Sequence, residues 1–411
     1  MSSSNHPYQE LAIDERVKRV LAHTPLFDGH NDLPQMPRAV THGKIYDQPK
    51  FDFENGFERG MTDIPRLREG AVGAQFWSIC VPVLREGEDF TTADYCDMAR
   101  DCIEQIDMTT RLVENYPDVF ELVRESSDVK RVYGQGKISS SIGIEGLHMA
   151  GNSIAVIRAW YHLGVRYCTM AHNCNNAFAD SSQSRVGPVH GGLSSIGRSA
   201  ILEMNRLGMI IDLSHVTPEA ATQALELTRA PVMFSHSNAQ AIFDCPRNIP
   251  DSILDLVPIN GGVVMINFVP EHVATNRRDA KMDDVLDHIF YIANRIGWDH
   301  VGLGSDFDGV ISTIPGLEDV KSYPKLLAAV LDRGATEAQL SKLVGENILR
   351  VWSGVAFTRD KMALEGVKPV EDVWEGRKWW RYDGEYQIND PDPEDKHGYG
   401  WFGVPLPADA M

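Results

Sequence analysis

Eight times along this chain a short apolar run rich in β-branched residues recurs, six of the runs closing on a His, Asp or Glu, and helical periodicity recurs between them. The first passes through Leu26-Phe27 into Asp28-Gly29-His30-Asn31-Asp32. The second is Val72 to Val83, with a helix expected from about Thr92 to Glu114. The third, Ile138 to Ile144, closes on Glu145 and precedes a helix from Ile154 to Leu163. Val165 to Ala171 closes on His172, Met209 to Leu213 on Ser214-His215, and Pro231 to Ser235 on His236. The last two are Gly262 to Phe268 and His300 to Gly304, the latter closing on Ser305-Asp306. Helices are expected at Met282 to Ile296, Tyr323 to Arg333 and Thr336 to Trp352. Thr217-Pro218-Glu219 supplies an N-cap, a proline and an acid for another.

Strands alternating with helices predict parallel strands joined by right-handed crossovers, and continuous apolarity says that both sheet faces are buried. The architecture that follows is α/β, a (β/α)8 TIM barrel, with its chemistry at the C-terminal strand ends. A doubly wound open sheet is the runner-up, but its Gly-x-Gly-x-x-Gly turn after the first strand is missing. Gln35 to Gly70, rich in Gly, Pro and charge, reads as an irregular insertion. Residues 1–355 form the barrel with an N-terminal arm, and 356–411 a Trp/Pro/Gly-rich C-terminal tail. The tail is expected to pack over the barrel or against the partner of a homodimer, held by Trp374, Trp379, Trp380 and Trp401.

Composition narrows the partners. With 39 Lys+Arg against 58 Asp+Glu, the formal charge of -19 repels phosphate backbones and anionic lipid, so no nucleic acid is expected. The first residues show neither a basic nor an apolar region of the signal-peptide kind, and the sequence has no N-x-[ST] pattern. No run reaches the ~18 apolar residues of a membrane span, and the C-terminus has no hydrophobic anchor tail. Six cysteines in 411 residues are too sparse for a disulfide scaffold. A cytoplasmic protein without a membrane anchor is the expectation.

The strand ends carry the chemistry. His30 and Asp32 lie two apart, so on a strand they leave the same face, and an imidazole and a carboxylate there can share a divalent cation. His-x-Asp alone is a common loop pair, and any one strand-end His, Asp or Glu is ordinarily a hydrogen-bonded buried group. The set differs: His30 and Asp32, Glu145, His172, His215, His236 and Asp306 close six of the eight runs. Burial alone does not account for this, because unpaired buried charge costs several kcal/mol per group. A cluster of divalent cations with Glu145 between them does.

Seven segments in order strengthen the reading: Asp28-Gly29-His30-Asn31-Asp32, Gly143-Ile144-Glu145-Gly146, Thr169-Met170-Ala171-His172-Asn173, Ile211-Asp212-Leu213-Ser214-His215-Val216, Phe234-Ser235-His236-Ser237, Arg247-Asn248-Ile249-Pro250-Asp251 and Gly304-Ser305-Asp306-Phe307-Asp308-Gly309. The series resembles that of the membrane (renal) dipeptidase family, binuclear-zinc metallopeptidases among the amidohydrolase-like barrels, from roughly Pro25 to Trp352. The resemblance implies hydrolysis of dipeptides, with His30 and Asp32 on one zinc, His215 and His236 on the other, and Glu145 bridging both. Iron, manganese or cobalt suit the same ligands. It further implies His172 facing the substrate carbonyl oxygen, Arg247 its carboxylate, and Asp306 the reacting water or the amine. The chemistry agrees, because paired cations acidify a shared water and polarise a carbonyl.

Other residues have ordinary readings. His148 is a structural or supporting histidine, and Asp28 orients the His30 region or caps a turn. Asp308 competes with Asp306 but lies already in the loop, and His23, His190 and His300 show no constellation. Secreted members of the family carry a disulfide near Cys174, for which Cys80 is the conceivable partner; without an export signal, free thiols are expected. Side-chain preference stays open, Cys-Gly units of glutathione conjugates included. Two alternatives remain: hydrolysis of another small amide, such as an N-acyl amino acid or a β-lactam, and a non-catalytic metal-binding barrel.

Overall fold

A computed structural model describes residues 12–83, 90 and 94–375 of the chain. Nine strands are present among them: β1 Leu26–Asn31, β2 Val72–Ile79, β3 Phe120–Leu122, β4 Ile138–Glu145, β5 Val165–Thr169, β6 Ile210–Asp212, β7 Met233–Phe234, β8 Val263–Ile266 and β9 Val301–Leu303. All pairings are parallel. β1 pairs with β2 and β9, β2 also pairs with β4, and the order then runs through β5, β6, β7 and β8 back to β9. Eight strands thus close a ring, the expected (β/α)8 barrel. Each of the eight apolar runs holds one of these strands.

The ninth strand, β3, lies outside the expected set. It pairs with the first half of β4 (Phe120↔Ile138 to Leu122↔Ser140), on a strand whose second half pairs with β5. Three residues, one of them buried, are too short to show a period. The helix following it, Ser126–Gly134, was not expected, nor was Ile13–Leu21 in the arm. Helix Ser195–Leu207 fills the gap between β5 and β6, begun by the Ser194 side chain accepting from Gly197 N. The insertion is less irregular than its composition suggests. It holds helices Gln35–Thr41 and Ile64–Glu69, the second capped by Asp63, and buries Phe51, Phe53 and Phe57.

The single helix expected over Thr336 to Trp352 is three segments: Glu337–Ser341, a π-helical turn Lys342–Glu346, and Asn347–Leu364. The wide turn brings Gly345 against the chain entering β1, where an added Cβ would stand 2.4 Å from Pro25 O. The boundary expected at Ala356 falls inside the last segment, which buries Val355, Thr358 and Met362, and the compact unit extends to Val373. Trp379, Trp380 and Trp401 lie outside the described residues.

Aromatic packing closes the core. Phe27 of β1 and Phe76 of β2 lie 5.0 Å apart by ring centroid, Phe76 meets Tyr167 of β5 edge-on at 5.1 Å, and Trp352 lies 5.4 Å from Phe76. All four are 2% exposed or less, and side chains of this size dominate core energetics. Among the described residues no helix is long and apolar enough to cross a membrane.

Candidate metal centre

Glu145 is the last residue of β4, and its Oε1 is the meeting point of the barrel mouth. It lies 3.6 Å from Nε2 of His30, 3.0 Å from that of His215, 3.3 Å from that of His236 and 3.7 Å from that of His172. His30 Nε2 is 3.2 Å from Asp32 Oδ2, and the Nε2 atoms of His215 and His236 stand 2.8 Å apart. Asp306 completes the cluster, with ligand atoms of His30, Asp32 and Asp306 within 4.8 Å of one another. A side chain at Gly309 would collide with both acids, its Cβ 2.3 Å from Asp32 Oδ2 and 2.4 Å from Asp306 Oδ1. Every strand-end residue singled out in the sequence therefore reaches one place.

Outer contacts fix how the rings face. Ser235 Oγ donates its only proton to Asp212 Oδ2 at 2.6 Å, so toward His236 Nδ1, 2.7 Å away, it acts as an acceptor. That puts the proton of His236 on Nδ1 and leaves Nε2 with a lone pair toward Glu145. Asp212 also accepts from Thr169 Oγ1 and from the backbone N–H groups of Ser214 and Ser235. Tyr167 Oη sits 2.9 Å from His30 Nδ1, and Gln183 Oε1 3.2 Å from His215 Nδ1. Asp28 accepts from the N–H of His30 and from Ser305 N and Oγ, tying the end of β1 to the residues after β9. Reading strand ends alone missed Asp212, Tyr167 and Gln183. Their signal was the need of each imidazole for a partner on its far nitrogen.

The electrostatics are those of a cradle for cations. Burial pushes the Glu145 carboxyl up to about 8, with the Asp32 charge adding to the rise. Burial and Asp32 likewise hold Asp306 well above the usual carboxylate range. Burial alone would lower His30, but Asp32 and Glu145 carry it up to about 10. Burial alone would raise Asp32, but the charge and hydrogen bond of His30, with hydrogen bonds from Asp306 and Gln35, bring it below its ordinary value. His30 Nε2 is buried and has no hydrogen-bond partner, although it points at acids. Crowded carboxylates beside an orphaned imidazole nitrogen fit a divalent ion, which would satisfy all of them together.

His172 differs in charge from His30: burial, then His148, lowers it to about 3, so it is neutral. Cys80 Sγ lies 3.8 Å from His172 Nδ1. Cys80 is buried and carries a thiol. His148 is no part of the cluster, with Nε2 2.9 Å from Val81 O. Asp308 accepts from Met61 N and so faces the insertion. Arg247, in the loop after β7, is 5% exposed, donates from Nη2 to His236 O at 3.1 Å, and leaves its buried Nε without a partner.

A closed parallel barrel that gathers imidazoles and carboxylates at its C-terminal mouth defines a metal-dependent hydrolase. The chain belongs to the membrane dipeptidase family (peptidase family M19), which it matches over residues 14–366. It is 41% identical over 381 residues to an uncharacterized dipeptidase of Schizosaccharomyces pombe, spanning 91% of this chain and 90% of the relative. With dipeptidase tcpJ of Claviceps purpurea it shares 44% identity over 326 residues, 79% of this chain and 75% of the relative. The crystal structure of the probable dipeptidase PvdM from Pseudomonas aeruginosa has the same fold, with a TM-score of 0.74 at 22% identity over 84% of this chain and 99% of that one. The protein is a metal-dependent hydrolase of dipeptides, as its motifs imply.

His148 gives the centre's surroundings a pH dependence. Burial lowers it from 6.5 to about 4, so as pH falls the unfolded chain takes up the proton first. The neutral ring costs nothing above pH 6.5, and stability is lost progressively as pH falls through 6.5 toward 4, on the order of 3 kcal/mol in all. Denaturant midpoints measured between pH 7.5 and 4 should fall less steeply for His148→Gln than for the wild type. Parallel curves would contradict this account.

Proposed function

We propose that His30 and Asp32 hold one divalent cation, that His215 and His236 hold a second, and that Glu145 bridges the two. The observation that carries the reading is the position of Glu145 Oε1, within 3.7 Å of four imidazole Nε2 atoms drawn from β1 and from the loops after β5, β6 and β7. Zinc is the first choice for a mixed imidazole and carboxylate set, and iron, manganese or cobalt fit the same donors. When bound, such ions supply an acidified water and polarise a scissile carbonyl.

The remaining roles belong to side chains. His172, neutral, presents an N–H to the carbonyl oxygen of the substrate and steadies the charge that develops there. Asp306, beside Asp32 and His30 at the mouth, would take a proton from the attacking water on its carboxylate and return it to the leaving amine. Arg247 receives the terminal carboxylate of the dipeptide by two parallel hydrogen bonds. Its buried, partnerless Nε supports this role. We place the enzyme in the reducing cytosol, in keeping with the Cys80 thiol beside His172. Thiol labelling of the unreduced, unfolded chain should count six sulfhydryls, all the cysteines of the sequence; a count of four would point to a disulfide and another compartment.

Two further experiments test the centre. Glu145→Gln removes the shared charge and should lower the content of both ions together, measured by elemental analysis of the purified protein. Full metal content and full activity in that variant would refute the binuclear reading. Arg247→Ala should keep its metal yet lose ~2–5 kcal/mol of transition-state stabilisation on a free dipeptide, tens to thousands of fold in kcat/KM. A dipeptide amide should be a poor substrate for the wild type and little affected by the substitution. Equal wild-type hydrolysis of acid and amide would sink the carboxylate clamp.

A further inference from the structure

His30, His215 and His236 all aim Nε2 at Glu145, so as ligands each must carry its proton on Nδ1 and find an acceptor for it. The three acceptors are unequal. His30 has the Tyr167 hydroxyl at 2.9 Å, with both residues fully buried. His236 has the Ser235 hydroxyl at 2.7 Å, itself locked onto Asp212 at 2.6 Å in the barrel wall. His215 has only Gln183 Oε1, longer at 3.2 Å, and Gln183 is a solvent-exposed residue.

His215 also has the least comfortable backbone of the three. Its φ is +68°, in the left-handed region that a non-glycine residue disfavours. What holds it there is the same loop that carries Gln183, between β5 and helix Ser195–Leu207. Ser182 N donates to His215 O at 2.8 Å, Ser181 forms a bridge with Val216, and Thr217 N donates to Asp180 O at 3.1 Å. The other two imidazoles are referred to barrel strands, whereas this one is referred to a surface loop.

We infer that Gln183 is a positioning residue for His215, and that the cation held by His215 and His236 is the labile one of the pair. The inference rests on the two-ion reading above. An exposed amide shares its carbonyl with water and loses its grip whenever the side chain swings out, after which His215 is free to carry its proton on Nε2, where it cannot ligate. Tyr167 and Ser235 have no such competitor. Release therefore begins on the His215 side, while the ion at His30 and Asp32 stays.

Stepwise dipicolinate titration of the holoenzyme, with metal counted by elemental analysis at each step, tests this without reference to activity. The wild type should release two separable equivalents. In Gln183→Leu the first should leave at about 10–100-fold lower chelator, with the second nearly unmoved. Gln183→Glu, a stronger acceptor at the same reach, should restore the first equivalent to the wild-type position or hold it more tightly. A Gln183→Leu curve that superimposes on the wild type, or that moves both equivalents equally, overturns the inference. A wild type that binds a single equivalent overturns the two-ion reading beneath it, so the wild-type curve tells the two failures apart.

Discussion

Three carboxylates and four imidazoles share the buried mouth of one barrel, and holding them together against their own electrostatics is the constraint on which the rest of the structure depends. Glu145 and Asp306 are pushed far up by burial and by Asp32, so their charges are costly where they stand. Groups that repel one another relax apart unless the backbone forbids it. Here each is carried at or just past the end of a strand, and every barrel strand is paired on both sides. The aromatic packing of Phe27, Phe76, Tyr167 and Trp352 anchors the same strands within the core. Stability built there sustains a strained, charged mouth, the usual relation between a scaffold and its site.

The strand ends need one more device. At two strand ends, His215 and Asp306, the chain turns abruptly through left-handed backbone, and Asp308 in the loop beyond β9 adopts it as well. Each such non-glycine residue costs on the order of 1 kcal/mol or more. Tertiary contacts hold these conformations: His215 O accepts from Ser182 N, Asp306 N donates to His30 O, and the Asp308 side chain accepts from Met61 N. The insertion before β2 therefore helps to shape the mouth by bracing the chain after β9.

The barrel and the metal-ligand candidates were legible in the sequence for a common reason. Buried parallel strands are continuous apolar runs, and a His, Asp or Glu that ends one stands out against them. What was illegible lacked such contrast. β3 has a single buried residue, and the stretch 172–194 before helix Ser195–Leu207 is organised by one acid rather than by a period. Asp180 there accepts from the N–H groups of Val189, His190 and Gly192, an arrangement that no local pattern announces. The helix after the π-helical turn continued past its expected end because its buried Val355, Thr358 and Met362 are spaced among charges that read as surface. Gln183, Ser235 and Tyr167 escaped notice as partners of the ligands because neutral hydrogen-bonding residues are common everywhere, and only the folded chain pairs each with an imidazole.

The carbonyl of His236 links the two halves of the site. It accepts from Arg247 Nη2 at 3.1 Å and from Asn267 Nδ2 at 3.2 Å, while the ring of the same residue faces Glu145. Asn267 is held in turn by Asn238, whose Oδ1 accepts from Asn267 N. The guanidinium proposed to clamp a substrate carboxylate is thus referred to the backbone of a residue proposed to bind metal, across a single set of short contacts. A clamp placed on an independent loop would tolerate substrates of several lengths, since the loop could move outward. One tied to His236 is referred to the metal-ligand candidates themselves, which would set the span from carboxylate to scissile carbonyl from the barrel. With the clamp acting as proposed, that tie would favour substrates of two residues.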